Sequence, residues 1–193
     1  MDATTTHILL GVGAYLVGSF PTGVVLSRRK YRIDVREMGS GNIGATNVTR
    51  VFGWYAGALT LVADFFKGLI PIYLTRHYFP ELEWAPTIVG LGLVLGHCFS
   101  AYLGFRGGKG VATGFGCVAA FEPFLALLLA VVYVGLLLIT RISAVGSLGG
   151  VAAALGYLVW KRPDQPFSSM LLGICGIILI RHIKNIRRLL GHG

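Results

Sequence analysis

The chain has 193 residues, of which 54% are hydrophobic and only 13% are charged. About a quarter of the residues of a typical soluble domain are charged, so this composition excludes an ordinary soluble protein. The three cysteines lie singly within apolar segments, a spacing that suits neither a disulfide framework nor a metal site. We therefore expect one membrane domain over residues 1–193, without a metal site formed by its cysteines.

Apolar residues occur in long blocks rather than in one-sided stripes, which predicts an all-α bundle of transmembrane helices. A helix needs about 20 apolar residues to cross a bilayer. The blocks cover residues 7–27, 51–75 (interrupted by Asp64 and Lys67), 84–105, 123–140, 142–160 and 165–180. The first block is followed directly by a basic cluster that begins at Arg28, so we expect a retained anchor and not a cleaved signal peptide.

The distribution of cations predicts the orientation of these helices. We place the N-terminus outside and let a short seventh segment, residues 110–121, cross as well. At about 1.5 Å per residue this segment reaches roughly 18 Å, short of a hydrocarbon core of about 30 Å, so it is a short or a re-entrant helix. In this arrangement 13 of the 17 Lys and Arg residues face the cytoplasm, three face outward and Lys67 lies within a span. Because cytoplasmic loops are rich in Lys and Arg, the charge favours about seven membrane helices although the length of the seventh segment does not.

Residues 38–50 are the first of three polar stretches expected on the cytoplasmic side. Gly39, Gly41 and Gly44 spell G-x-G-x-x-G, but a dinucleotide site also needs a preceding strand, which a helix bundle does not provide. Glycines expose backbone N–H groups, and a helix that starts near Thr46 points its own N–H groups at an anion. We therefore interpret the stretch as a phosphate site rather than a glycine turn with a helix cap. Its candidate residues are Ser40, Gly41, Asn42, Thr46, Asn47 and Arg50.

The second stretch, residues 104–113, has three glycines around Lys109. It is not the nucleotide P-loop, because Leu103 stands where that loop needs Gly and Gly110 stands where it needs Ser or Thr. A glycine loop around a cation still suits a phosphate, and the apolar helix that follows can keep an attached chain in lipid. The alternative is that Arg106 and Lys109 only anchor the ends of the spans. The candidate residues are His97, Gly107, Gly108, Lys109, Gly110 and Thr113.

The third stretch is residues 181–188, where helical spacing places His182 and Asn185 on one face. The neighbouring arginines are well explained as cations that extend from a helix end to the membrane surface, whereas the His and Asn favour a functional site as much as a structural one. Within the second apolar block, Asp64 and Lys67 are three residues apart and can form an ion pair. Ionisable residues inside a membrane indicate function by default, but a pair that only fixes the helix is an equal alternative.

Together these stretches resemble one known family, the acyl-phosphate-dependent glycerol-3-phosphate acyltransferases of bacterial inner membranes. The resemblance covers nearly the whole chain. The runs Gly-Ser-Gly-Asn-Ile-Gly-Ala-Thr-Asn and Gly-Gly-Lys-Gly-Val-Ala-Thr are highly specific. The matching segments are residues 18–23 (Gly-Ser-Phe-Pro-Thr-Gly), 39–47, 96–97 (Gly-His), 107–113 and the pair His182 and Asn185.

The resemblance implies an enzyme that transfers an acyl chain from acyl phosphate to the 1-hydroxyl of sn-glycerol 3-phosphate. The products are lysophosphatidate and inorganic phosphate, in phospholipid biosynthesis. Because an acyl phosphate is already activated, ATP, coenzyme A and metal are not required. The implied partners are both substrates and membrane lipid, with no nucleic acid and no obligate protein partner, and the implied location is a bacterial inner membrane with the active site on the cytoplasmic side.

Roles for the candidate residues follow from the resemblance. Residues 107–113 are expected to hold the acyl phosphate, and the candidates in residues 40–50 are expected to line a shared phosphate region. Lys109, His182, Asn185 and Arg50 form the expected catalytic group, which orients glycerol 3-phosphate or stabilises the developing oxyanion.

No general base is evident in the sequence. The residue five positions after His97 is Tyr102, so the His-x4-Asp dyad of soluble glycerolipid acyltransferases is absent. The departing phosphate can itself accept the hydroxyl proton. An anion transporter or channel is the alternative function, but it requires cations through the depth of the membrane. Only Lys67 lies deep, and Asp64 can neutralise it.

Overall fold

The fold consists of helices joined by short loops, in a computed structural model that describes residues 2–191. No β-strand occurs among these residues, so the predicted all-α class is confirmed. The α-helices are α1 (Ala3–Ser19), α2 (Thr22–Leu26), α3 (Ala45–Phe52), α4 (Trp54–Tyr78), α5 (Ala85–Cys98), α6 (Val111–Phe121), α7 (Pro123–Thr140), α8 (Ser143–Lys161) and α9 (Gln165–Leu189).

Six helical segments within residues 2–191 are long and apolar enough to cross a membrane, and they correspond to the six predicted blocks. Several boundaries differ from the prediction; α9, for example, continues to Leu189 and does not end at residue 180. Two of the differences have a clear local cause. The first segment is broken after α1, because Pro21 has no backbone N–H and disfavours helical geometry at Phe20. The second segment begins at Trp54 rather than at residue 51, because Gly53 adopts a φ of 87° and separates the short helix α3 from α4.

The loops collect at two ends of the bundle. Residues 20–53, 99–110, 141–142 and 181–191 form one end, which we call the basic face; residues 79–84, 122 and 162–164 form the opposite face. At the basic face the hydroxyl oxygens of Thr46 and Ser143 lie 3.1 Å apart. At the opposite face the Thr87 hydroxyl donates to the Pro166 carbonyl at 2.7 Å. Thirteen of the 17 Lys and Arg residues lie on the basic face. Arg162 lies on the opposite face, and Arg76 and Lys161 lie in the last turns of the helices that end there.

The short helix α6 connects the two faces. It begins beside the end of α5, where Thr113 Oγ1 is 3.3 Å from His97 Nδ1. Near its other end, the Arg76 guanidinium donates to the Ala120 carbonyl at 2.6 Å. Its 11 residues extend roughly 16 Å. The helix is short because Gly108 and Gly110 are already buried, so the chain enters the bundle before α6 starts.

Glycine allows α4 and α6 to pack with their backbones in contact. A Cβ atom at Gly68 would overlap the carbonyl oxygen of Thr113, and one at Gly116 would overlap that of Phe65. Small residues permit this close approach, which stabilises helix pairs in lipid through dispersion rather than through the hydrophobic effect. The α4–α6 contact therefore fixes the start of α6 and the glycine loop that precedes it.

We expect Gly68→Ala to lower the free energy of unfolding by about 1–3 kcal/mol, the usual cost of an overpacked site, because the new methyl group meets the Thr113 carbonyl. Thermal unfolding in detergent measures the effect. Gly150→Ala is the matched control, since Gly150 lies within α8 and has open space where a Cβ would stand. Equal stability of the two variants would contradict this account of the packing.

Candidate active site

Lys109 lies among several cations on the basic face. Its Nζ donates to Asn185 Oδ1 at 2.7 Å, which joins the glycine loop to α9. Burial, followed by the charges of Arg181, Arg188 and Arg50, lowers the pKa of Lys109 below its ordinary value of 10.5. Within residues 2–191, none of these four cations is paired with a carboxylate. A lysine whose charge is reinforced by three arginines suits the binding of a phosphate.

Arg181 holds the glycine loop by its backbone. Its Nε donates to the Gly108 carbonyl and its Nη2 to the Gly107 carbonyl, both at 2.9 Å. The same guanidinium lies 5.2 Å from the centre of the Phe99 ring. The sequence indicated Arg181 only as a membrane anchor, because nothing in its local pattern shows that the carbonyls it binds belong to residues more than 70 positions earlier.

The loop ends where α6 begins, at Val111. Gly110 has a φ of 81°, a left-handed conformation that glycine adopts without strain. The first N–H groups of an α-helix have no partner within the helix. Next to Lys109, the N–H groups of the first turn of α6 therefore suit an anion.

His97 and Thr113 lie beneath the loop rather than in front of it. Their exposed fractions are 4% and 0%. The His97 carbonyl accepts the Gly108 N–H at 2.9 Å, and the His97 ring leaves no room for a Cβ on Gly108. Both residues are thus placed to shape the backbone that surrounds Lys109.

His182 is also buried, with an exposed fraction of 1%. Its Nδ1 lies 2.8 Å from the Ile178 carbonyl. A carbonyl oxygen only accepts hydrogen bonds, so we assign the proton to Nδ1 and leave Nε2 as an acceptor. Because Lys109 is within electrostatic reach of the ring, the structure brings together Lys109, His182 and Asn185, three members of the predicted catalytic group.

Asn47 organises the first predicted loop. Its Nδ2 donates to the carbonyls of Val35, Met38 and Asn42 at 3.2, 3.0 and 2.9 Å. Its Oδ1 accepts the Ser40 N–H at 2.8 Å. With all its polar atoms engaged and 2% of its surface exposed, Asn47 supports the loop that presents Ser40, Gly41 and Asn42.

Thr46 and Arg50 occupy the surface side of α3, and both side chains are exposed. The Ser143 hydroxyl that faces Thr46 is also 2.9 Å from the Tyr133 hydroxyl, so the end of α7 and the start of α8 join the site. The sequence did not indicate Ser143 as a site residue, because it is one of several small residues at regular spacing in α8. Arg50 lies one turn after Thr46, and its positive charge helps to lower the pKa of Lys109.

Two other arginines of the basic face have a structural partner. Asp34 Oδ2 accepts from Arg28 Nη2 and from Arg36 Nη2, each at 2.7 Å. The hydrogen bond from Arg36 is the largest of the causes that lower the pKa of Asp34 to about 2. The predicted pair of Asp64 and Lys67 is also present, at 2.8 Å inside the bundle. In the described part of the chain, no group of three or more His, Cys, Asp or Glu side chains is arranged to hold a metal ion.

We expect Asn47→Asp to lower the free energy of unfolding by about 1–3 kcal/mol, because a carboxylate oxygen would replace the amide that donates to three carbonyls. Thermal unfolding and hydrogen exchange over residues 35–47 measure the change. Asn42→Asp is the control: the side-chain bond of Asn42 uses only its oxygen, which accepts the Gly44 N–H at 3.0 Å. If the two variants lose equal stability, the donor bonds of Asn47 are not what orders the loop.

The whole chain is similar to known proteins. A family model described as glycerol-3-phosphate acyltransferase matches residues 8–192. Among its relatives is the glycerol-3-phosphate acyltransferase of Anaeromyxobacter dehalogenans (strain 2CP-1), 46% identical over 94% of this chain and 92% of that protein. The protein of the same name from Myxococcus xanthus is 41% identical over 96% of this chain and 95% of its own length.

A solved structure has the same fold. The crystal structure of PlsY (YgiH), described as an integral membrane glycerol 3-phosphate acyltransferase in its glycerol 3-phosphate form, is 38% identical, covers 97% of this chain and 94% of its own, and superposes with a TM-score of 0.90. A lysophosphatidic acid form of the same enzyme superposes with a TM-score of 0.86. These matches support an enzyme and not the transporter considered above. The chain belongs to the glycerol-3-phosphate acyltransferase family, as an integral membrane enzyme.

Proposed function

We propose that this enzyme takes its acyl chain from an acyl phosphate and transfers it to the 1-hydroxyl of sn-glycerol 3-phosphate. The observation that supports this donor is the cluster of Lys109, Arg50, Arg181 and Arg188 around one glycine loop. Two phosphate-bearing reactants repel each other strongly when they are brought close, and several cations in a partly buried site offset that repulsion. The two solved relatives, described with glycerol 3-phosphate and with lysophosphatidic acid, correspond to an acceptor and a product of this reaction.

We assign the basic face to the cytoplasm of a bacterial cell, with the protein in the inner membrane. The support is the distribution of charge, since 13 of the 17 Lys and Arg residues lie on that face. Segments rich in Lys and Arg are retained on the cytoplasmic side during insertion. The orientation gives the site direct access to a water-soluble acceptor inside the cell and to a donor chain from the surrounding lipid.

In this proposal the glycine loop holds the donor. Lys109, with the N–H groups at the start of α6, binds the acyl phosphate, while His97 and Thr113 act from beneath the loop. Ser40, Gly41, Asn42 and Thr46 line the neighbouring phosphate region on a loop that Asn47 supports. We assign the orientation of glycerol 3-phosphate to Arg50, His182 and Asn185. Residues 1–193 act as one domain.

The chemical step is a transfer between two oxygens. The 1-hydroxyl oxygen of glycerol 3-phosphate forms a bond with the acyl carbonyl carbon, and the bond from that carbon to the phosphate oxygen breaks. The hydroxyl proton passes to the departing inorganic phosphate, whose second pKa lies near neutrality. Donors near Lys109 stabilise the negative charge that develops on the carbonyl oxygen. Holding the hydroxyl oxygen against the acyl carbonyl carbon adds to the acceleration, an effect that reaches about 7–11 kcal/mol in favourable cases.

Acyl transfer by the purified protein tests the donor. We expect labelled glycerol 3-phosphate to be converted with acyl phosphate and not with acyl coenzyme A. Lys109→Met should lower the rate at least about 100-fold, as for loss of a key electrostatic donor. Arg106→Met is the matched control, because Arg106 is an exposed cation on the same loop with no side-chain hydrogen bond in the described structure. Transfer from acyl coenzyme A alone would contradict the proposal. Equal losses of rate in both variants would show that Lys109 contributes only to the overall positive charge of the loop and does not bind the donor specifically.

The affinity for acyl phosphate should fall as the pH rises through the pKa of Lys109, which lies below 10.5. The ammonium is present below that pKa and is lost above it, while a bound phosphate favours the ammonium and raises the pKa again. The KM for acyl phosphate, measured from about pH 7 to about pH 10, shows the change as an alkaline increase. Lys109→Arg should lack this increase because a guanidinium stays charged throughout that range. The same increase in both proteins would assign the effect to another group.

A further inference from the structure

A polar cluster inside the bundle is not used by the chemistry proposed above. Lys67 Nζ lies 2.8 Å from Asp64 Oδ1, and the Thr22 hydroxyl donates to the same oxygen at 3.0 Å. His97 Nδ1 is 3.9 Å from that oxygen. The side chains of Asp64 and Lys67 are 3% and 9% exposed. Burying two ionised groups is costly even when they are paired, so this pair requires a reason.

The cluster connects the elements that surround the glycine loop. Lys67 also donates to the Phe20 carbonyl at 3.0 Å, at the break between α1 and α2. Thr22 is the first residue of α2, His97 lies in the last turn of α5, and Thr113 lies in the first turn of α6. Lys67 and Asp64 belong to α4, so one set of contacts links α2, α4, α5 and α6 with the break after α1.

His97 connects this cluster to the loop. Its carbonyl accepts the Gly108 N–H at 2.9 Å, and its ring packs so closely on Gly108 that a Cβ there would overlap Nε2. From the other side, Arg181 of α9 holds the Gly108 carbonyl at 2.9 Å. Gly108 is therefore fixed between His97 and Arg181, and Lys109 follows it directly in the chain.

We propose that Asp64 and Lys67 are positioning residues for acyl transfer: Lys67 neutralises Asp64 so that the His97 ring keeps its place, and His97 holds Gly108 and with it the phosphate-binding loop. The proposal rests on the role assigned above to residues 107–113. It has a specific electrostatic basis. Without Lys67, the Asp64 carboxylate would retain only the Thr22 hydroxyl as a close donor. The His97 ring would then be drawn across the remaining 3.9 Å, away from Thr113 and from its place under Gly108.

Variants that change or keep the charges of the pair test the proposal, because positioning affects the KM for acyl phosphate whereas a purely structural pair affects only thermal stability. Lys67→Met leaves Asp64 uncompensated, and we expect it to raise the KM for acyl phosphate about tenfold or more, with a smaller change in the KM for glycerol 3-phosphate. Lys67→Arg, which keeps the pair, should stay close to wild type. Asp64→Asn combined with Lys67→Met removes both charges and should recover most of the affinity. A pair that only fixes helix position predicts lower thermal stability with wild-type KM values, and that result would overturn the proposal.

Arg76→Met is the matched control for removing a cation. Arg76 lies on the same helix and also donates to a backbone carbonyl, that of Ala120, but on the opposite face. Its kinetic constants should match those of wild type, and an equal rise in KM would assign the effect to α4 as a whole. Failure of the wild-type protein to use acyl phosphate would contradict the proposed donor, whereas activity with an unaffected Lys67→Met variant would contradict only the positioning role.

A second pair of variants tests the link through His97 and remains informative if Lys67→Met does not fold. Gly108→Ala should raise the KM for acyl phosphate because its methyl group displaces the His97 ring. Adding His97→Ala opens space for that methyl group, so the double variant should bind acyl phosphate better than Gly108→Ala alone. If His97 instead contacts the substrate directly, the double variant will be at least as impaired as either single variant, which would refute positioning through Gly108.

Discussion

The contact between Arg181 and the carbonyl oxygens of Gly107 and Gly108 is the constraint on which the basic face depends. Buried carbonyls need hydrogen-bond donors, and a guanidinium satisfies two of them with a fixed geometry. Here it joins the end of α9 to a loop more than 70 residues earlier in the chain. The bond between Lys109 and Asn185 closes the same gap a short distance away. Without these two contacts, the glycines would leave the backbone of the loop free to adopt many conformations.

Not all cations of the basic face serve the same purpose. Arg28 and Arg36 bind Asp34 and fix the segment that leads to the first loop. Arg181 binds backbone carbonyls, which leaves its charge close to Lys109 but engages two of its five N–H donors. Lys109 is bound to a neutral amide, so no carboxylate in the described residues neutralises its positive charge. The density of positive charge therefore indicates which face carries the candidate site, whereas the hydrogen-bond partners of each cation decide whether it can bind a ligand.

The sequence was most informative where physical constraints are local. Membrane thickness imposes long apolar blocks, so the six spans and the short α6 were predicted, apart from the break at Phe20 and the separation of α3 by Gly53. The glycine loops were recognisable because they combine flexible backbone with polar side chains. The role of Asn47 as a four-bond support, and the approach of Ser143 to Thr46 across 97 positions, were not predictable. Such contacts depend on how distant helices pack, and one sequence without its fold does not specify which side chains meet.

The shortness of α6 also determines how reactants arrive. Its length of roughly 16 Å is about half the thickness of a hydrocarbon core, because Gly108 and Gly110 lie inside the bundle. The glycine loop is therefore recessed among the helices and does not stand at the surface of the basic face. If this loop holds the acyl phosphate as proposed, a water-soluble acceptor would enter from the basic face and the acyl chain would lie against the apolar surface of the helices.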